Sequence, residues 1–417
     1  MGGVILMVGI GGCMDATRWS VLSLVTSLLF LSLAGCNEGK INEATANCTS
    51  QAIPNSYLVR WNGKVPAEYE QNKLAPNSLT TRFNYTNKSA VERDVLSKHP
   101  NEYLVAESDF QIRNINEEQN KVTGVTPNDN SATWGTGDIQ ASAAWSYLNS
   151  QGAGVIVAVV DSGADLNHPL LAGQFVAGLS YVGSPTDLSD GADHGTHVSG
   201  IIAGLPDQTS GFSGVAPGAK IMPIKFIDST GAGSVGDAIS GTAYAISKGA
   251  KVINASWGGD QCSSALQQEI ADFTDAGAVF ANAAGNSGNN LATAPEYPAV
   301  YQVPGKITIG SYNIAENLST FSNYGSLVDL AAPGEVILST IPPTAGQAEG
   351  QMGVKSGTSM ATPFVAGVAA LLFSAKPNAT PVQIAAAINA GVVSGNFGVR
   401  TGGHLSALLA AQYLMTH

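Results

Sequence analysis

The chain has 417 residues, 44% of them hydrophobic and 12% charged, with 48 glycines and a net charge of −12. That apolar content supports a large core and excludes general disorder. The acidity lies mostly beyond residue 130, where 18 Asp and Glu stand against 8 Lys and Arg. Nucleic-acid binding needs a basic face, so no nucleic-acid partner is expected.

At the start, Arg18 precedes an apolar run from Val21 to Leu33 that ends in Ala34-Gly35-Cys36. The run is short for a bilayer span and has the form of a signal-peptide core. Residues 1–13 form an apolar, glycine-rich prefix, which leaves the start open between Met1 and Met14. Residues 1–36 are read as a targeting segment and 37–54 as a polar tether. Outside that segment only Cys48 and Cys262 remain. An exported protein could bridge them. Because Cys48 lies in a polar stretch ahead of the first folded piece, two unpaired thiols are expected. No Cys/His spacing suits zinc.

Residues 55–114 read as a small α+β unit. Ser56–Trp61 suits a strand, Ala90–Leu96 a short helix, and Tyr103–Ile112 strands, by β-branched and aromatic content. Residues 115–130 are polar and read as a linker open to cleavage. From 131 to 417 the pattern changes. Val155–Val160 is a continuous run of β-branched type, the signature of a strand buried on both faces of a parallel sheet. Similar runs follow at Ile221–Ile227, Lys251–Ala255, Ala278–Ala283, Ile307–Ile309 and Leu327–Leu330. Helical patterns alternate with them at 194–204, 236–248, 263–276, 359–374 and 380–390. This alternation predicts one large α/β layered domain.

Ser359 opens the last long apolar helix, within Gly357-Thr358-Ser359-Met360-Ala361-Thr362-Pro363. A helix N-terminus offers free N–H groups and positive potential. A serine there can attack a carbonyl while those N–H groups hold the oxyanion. It can equally be a helix cap. Three other polar motifs decide between the two. Asp161 closes the first strand, within Val160-Asp161-Ser162-Gly163. His194 enters a helix, within Asp193-His194-Gly195-Thr196-His197. Asn286 follows a later strand, within Ala283-Ala284-Gly285-Asn286-Ser287-Gly288. Parallel sheets collect active residues at the C-terminal ends of their strands.

With these four blocks in this order, residues 131–417 resemble a subtilisin-like serine protease. The resemblance implies an α/β fold, a three-layer domain with a mainly parallel central sheet, preceded by a small α+β propeptide domain at 55–114. It implies a serine endopeptidase acting through an acyl-enzyme. Ser359 would be the nucleophile, His194 its base, Asp161 the group that orients His194, and Asn286 an oxyanion donor. Asp165 and His197 are rivals for Asp161 and His194, and both are read as structural, as are His99, His168 and His404.

The same resemblance assigns the substrate cleft. Gly231 and Gly233 on one edge, and Ser256, Trp257 and Gly258 on the other, would pair with an extended peptide by β-augmentation. Val235 and Ala238 would line an apolar pocket for a residue upstream of the cut, and Ala284 counts among the substrate-binding residues. Glu296 would sit at the floor of the pocket beside the scissile bond and favour Lys or Arg there, or turn to solvent. Where family members carry a calcium-binding aspartate, this chain has Leu170, and the companion loop Pro206–Ser213 is altered. That strong site is expected to be absent, no cofactor is required, no other metal site is assigned, and weak calcium sites elsewhere stay open. The residues before Cys36 resemble a bacterial lipoprotein signal, which implies lipidation at Cys36. The implied partners are peptide or protein substrates, the chain's own propeptide and, before processing, a membrane. A monomer is expected, exported to the bacterial cell envelope or released after processing. Two alternatives accompany this reading: a non-catalytic peptide-binding surface protein, and a peptide ligase that passes the acyl group to an amine.

Overall fold

The computed structural model describes residues 52–76, 78–114, 133–343, 348 and 350–417. The targeting segment with Cys36, the tether up to residue 51 with Cys48, and the 115–130 linker lie outside the described residues.

The first unit is an antiparallel sheet of β1 (Ala52–Trp61), β2 (Thr80–Asn84) and β3 (Tyr103–Asn114), with β1 in the middle. β1 begins at Ala52, inside the stretch read as tether. Helix α1 (Lys88–Asp94) starts where Asn87 caps it by accepting the Ala90 N–H. Alternation along the strands sends Val59, Trp61, Phe83 and Ala106 to one face, where Val91, Val95 and Leu96 cover them.

The main domain is built on nine strands. Six carry its centre: β4 (Ile156–Asp161), β6 (Lys220–Lys225), β8 (Val252–Ala255), β10 (Val279–Ala283), β11 (Lys306–Tyr312) and β12 (Leu330–Pro333). They lie in the order β12-β11-β10-β8-β4-β6, all parallel. Helices cover both faces, so these strands are buried except for Ile156 and Lys220 at the starts of β4 and β6, and read as mainly apolar runs. Five of the six runs fall where the sequence places them. The sixth is displaced: Leu327–Leu330 was expected, and β12 runs from Leu330 to Pro333. Val328 donates to the Gly325 carbonyl, so a turn occupies the first part of that apolar stretch. The five helical segments match to within one residue at each end: α4 (His194–Ala203), α5 (Val235–Ser247), α6 (Ser264–Asp275), α7 (Thr358–Ala375) and α8 (Pro381–Ala390), preceded by the unanticipated α2 (Trp134–Asp138) and α3 (Ala141–Leu148).

Helix α7 is long and apolar enough to cross a membrane, yet it is 89% buried. It is the core helix. Met360, Val365, Val368, Leu371 and Leu372 pack with Val157, Val252, Ala281 and Ile309 of the sheet in one apolar cluster. Seating this helix against the strands brings its first turn to their C-terminal ends.

Candidate active site

Asp161 is the last residue of β4 and fully buried. Its Oδ1 accepts the Ser162 N–H at 2.7 Å and lies 2.7 Å from His194 Nδ1. His194 is the first residue of α4 and 1% exposed. The approach requires a glycine next in line. A Cβ at Gly195 would overlap the Gly163 carbonyl oxygen. A second carboxylate, not singled out from the sequence, pins the same helix start. Asp190 accepts from Ser162 Oγ at 2.8 Å, from the Thr196 N–H at 2.8 Å and from Thr196 Oγ1 at 2.7 Å.

Ser359 occupies the first turn of α7 and is fully buried. Its Oγ donates to the Ser256 carbonyl at 3.1 Å, and its own carbonyl accepts from Ser256 Oγ at 2.9 Å. Pro363 explains the second bond. In a helix the N–H of residue 363 would take the carbonyl of residue 359, but proline has none, so that carbonyl is left for Ser256. Thr358, also missed in the sequence, ties Ser359 to Asn286. The Thr358 N–H and Oγ1 both reach Asn286 Oδ1 at 2.8 Å, and Thr358 Oγ1 accepts the Gly285 N–H at 3.1 Å. With Oδ1 engaged by two donors, the other face of the amide is its N–H side.

Both predicted substrate edges are occupied by the chain itself. β7 (Ala232–Ser234) and β9 (Trp257–Gly258) pair antiparallel with the end of β3. Ile112 lies opposite Gly233, Arg113 opposite Ala232 and Gly258, and Asn114 opposite Trp257. The Asn114 N–H donates to the Gly231 carbonyl at 2.9 Å. A side chain at Gly233 would overlap the Phe226 carbonyl, so glycine keeps that edge flat. Ser256, between these edges and Ser359, is fully buried. The indole of Trp257 points inward, donating to the Val160 carbonyl at 2.9 Å and packing edge-on against Phe226 and Phe280. Trp257 therefore offers its backbone to the cleft. Val235 and Ala238 are buried beneath β7 at the start of α5.

The N-terminal unit is anchored on α5 and α6 by charge. Glu107 accepts from Ser263 Oγ, the cap of α6, and from the N–H groups of Ser264 at 3.1 Å and Ala265 at 3.3 Å. Asp109 accepts the Gly236 N–H of α5 at 3.0 Å. Arg82 reaches Asp237 and Ser234 at 2.9 Å each. Arg60 pairs with Glu269 at 2.6 Å and Asp272 at 2.5 Å, and Ser78 and Thr80 also donate to Glu269. Burial of its carboxyl pushes Glu107 up to about 7, against the pull of its three donors. Burial raises Asp109 too, opposed by Arg82.

His197 is buried with Nε2 3.1 Å from the carbonyls of Ile337 and Gly353, and burial drives its pKa well below the usual value. It stays neutral and fixes the β13 (Ile337–Thr340) and β14 (Met352–Lys355) hairpin. His168 lies 2.8 Å from the Gln351 carbonyl, and the Leu170 carbonyl accepts from Leu205. Ala284 continues from β10, and its carbonyl accepts from Asn323 at 2.9 Å. Glu296 is half-buried, accepts from Ser287 Oγ at 2.7 Å and lies against Gly285, next to Asn286. One expectation is overturned: Cys262 is disulfide-bonded.

The Subtilase family (Peptidase S8) profile matches residues 152–399. The chain belongs to this family. It is 41% identical to thermitase of Thermoactinomyces vulgaris over 291 residues, 69% of this chain and 100% of that protein. It is 42% identical to subtilisin of Bacillus pumilus over 259 residues, 61% of this chain and 89% of that one. Among solved structures it resembles fervidolysin from Fervidobacterium pennivorans, a keratinolytic enzyme related to subtilisin. That match has a TM-score of 0.71 and 27% identity, covering 89% of this chain and 62% of the other. The subtilase is thus a serine endopeptidase, and its substrates are peptides or proteins.

Proposed function

We propose that Ser359, His194, Asp161 and Asn286 carry peptide hydrolysis, and that residues 52–114 hold the enzyme as a zymogen. The reading is carried by the 2.7 Å contact of buried Asp161 and His194 at the strand ends where Ser359 opens its helix. His194 Nε2 takes the Ser359 hydroxyl proton as Oγ adds to the scissile carbonyl carbon. The oxyanion is received by Asn286 Nδ2 and the Ser359 N–H. His194 then gives its proton to the leaving amine, and the acyl-enzyme forms. Water, deprotonated by His194, attacks the ester, and collapse releases the acid and restores the Ser359 hydroxyl. Asp161 holds the imidazole in one tautomer and stabilises its cation. No cofactor enters this sequence.

Occupation of both cleft edges by the end of β3 supports the zymogen reading: the unit binds as a substrate strand. Asn114 lies opposite Trp257, and the next residue back along that edge is Ser256, whose carbonyl accepts from Ser359 Oγ. This register points to the peptide bond after Ile115 as the first one cut. N-terminal sequencing of freshly processed enzyme should begin at Asn116. The half-buried carboxylate of Glu296 beside Asn286 favours Lys or Arg at the residue before the cut in other substrates, and a mixed-peptide library tests it. The run ending at Cys36 supports export and lipid attachment, which mass spectrometry of the membrane fraction checks. The decisive experiment is labelling with a serine-directed fluorophosphonate. Processed wild type should label and Ser359→Ala should not; an unlabelled wild type refutes the assignment.

A further inference from the structure

Lys306 opens β11 and is buried. Alternation along the strand sends Ile307 and Ile309 into the apolar cluster around α7, and Lys306 and Thr308 to the opposite face. There Lys306 Nζ donates to the Ala299 carbonyl at 3.0 Å and to Thr308 Oγ1 at 2.6 Å. Thr308 Oγ1 donates in turn to the same carbonyl at 2.8 Å. Both lone pairs of the Ala299 oxygen are thus filled from β11. Thr308 is itself held by Asp329, which accepts the Thr308 N–H at 2.7 Å and pairs with Arg400. Burial pushes the Lys306 amine down to about 7, against the pull of Asp329, so a lysine is costly at this position.

Ala299 ends the segment that walls the pocket beside the scissile bond. At the other end, Glu296 lies against Gly285 and accepts from Ser287 Oγ, the two residues that flank Asn286. Between them Tyr297 pairs with Gly259 in both directions, its N–H donating at 2.8 Å and its carbonyl accepting at 2.9 Å, next to the Gly258 cleft edge. The N–H groups of Val300 and Tyr301 fold back onto the carbonyls of Glu296 and Pro298. The wall therefore touches the oxyanion loop and the cleft edge, and the Ala299 carbonyl ties it to the sheet.

We propose that Lys306 is a positioning residue for substrate selection: by holding the Ala299 carbonyl it fixes the wall that carries Glu296, and with it the shape of the pocket for the side chain before the cut. This rests on the pocket reading of Glu296 given above. Lys306 touches no reacting atom. Its loss should leave the chemistry at Ser359 in place and change which side chains are accepted.

Lys306→Met keeps the length of the side chain and removes its donors. Processed variant and wild type are compared on peptide anilides that differ only in the residue before the cut: lysine, phenylalanine or alanine. Relative to alanine, kcat/KM for lysine and phenylalanine should fall about tenfold, mainly through KM, the scale on which small changes of pocket shape discriminate side chains. Labelling of Ser359 by a small-alkyl fluorophosphonate, which leaves that pocket unfilled, should keep its wild-type rate. Thr308→Val removes the other donor to the same carbonyl and should shift selectivity in the same direction. Unchanged selectivity in Lys306→Met, or in Thr308→Val where the first does not accumulate, overturns the proposal. So does an equal loss on all three substrates and in labelling. The underlying pocket reading fails separately, if Glu296→Ala selects among the three substrates as wild type does.

Discussion

At the scale of residues, the site is a set of side chains whose freedom has been removed. The donor role proposed for Asn286 draws on Thr358, which occupies its amide oxygen twice. Asn286→Ala should lower kcat by about 10²–10³ with KM little changed, the magnitude known for a subtilisin lacking its equivalent donor. Steady-state kinetics on a peptide anilide reads this directly. Gly195 is the more severe test of position. A methyl group there meets the Gly163 carbonyl, and relief must come from moving the start of α4, which carries His194. Gly195→Ala should destabilise by about 1–3 kcal/mol in thermal unfolding. It should also slow fluorophosphonate labelling, because the His194–Asp161 contact cannot survive the shift unchanged. The four candidate residues are legible in the sequence because their chemistry needs particular residue types in flanking glycine-rich turns. Asp190 and Thr358 are not, since an aspartate in a loop and a threonine at a helix start have many ordinary uses.

Elements carry a second kind of information. Helices α5 and α6, capped by Ser234 and Ser263, turn N–H groups still open in their first turns to the N-terminal unit, and each receives one carboxylate, Asp109 and Glu107. Capping of this kind is worth roughly 0.5–2 kcal/mol per helix. Its pH dependence has a definite sign. Glu107 is raised from near 4.5 to about 7 on docking, and Asp109 is raised as well, so docking takes up protons. Inhibition by the unit is then fully present at acid pH and weakens as pH rises from about 4.5 towards 7. Glu107 contributes at most about a tenfold change per pH unit in that window. Titrating the isolated unit against mature enzyme between pH 4.5 and 8 should give this slope, and Glu107→Gln should flatten it. At this scale the sequence is most readable where helices are long: the five predicted beyond residue 131 lie within a residue of their observed ends, whereas the short one expected at Ala90–Leu96 runs from Lys88 to Asp94. Short elements such as β7, β9 and β13 escape it, because three or four residues carry too little periodicity to separate strand from loop.

The whole molecule is a large parallel sheet whose neighbours along the strands are distant in sequence, the topology that folds slowly. The N-terminal unit buries charged pairs on α5 and α6 that exist only when the sheet has brought those helices together. Expression from residue 131 alone should therefore give little active enzyme, with recovery when 52–114 is supplied in trans; equal yields would refute a folding role. Leu170, in place of a calcium-binding aspartate, predicts that no tight calcium is held at that site, which calorimetric calcium titration of the mature enzyme checks.

What the sequence determined by itself was the class of fold, the order of the main strands and helices, and the four candidate residues proposed for the active site. Those follow from local patterns: burial on both faces makes a strand apolar throughout, and an amphipathic or apolar helix marks its own length. What only the tertiary structure decided was everything set by docking. That includes the β3 strand lying across Gly231, Gly233 and Trp257, the inward turn of the Trp257 indole, the displacement of β12 to Leu330, and the bonded state of Cys262. The first depends on surfaces that meet across more than a hundred residues of chain, and the others on packing that the pattern of their own stretch does not carry. The free energy of such meetings comes from complementary shape and charge in space, which no stretch of sequence carries alone.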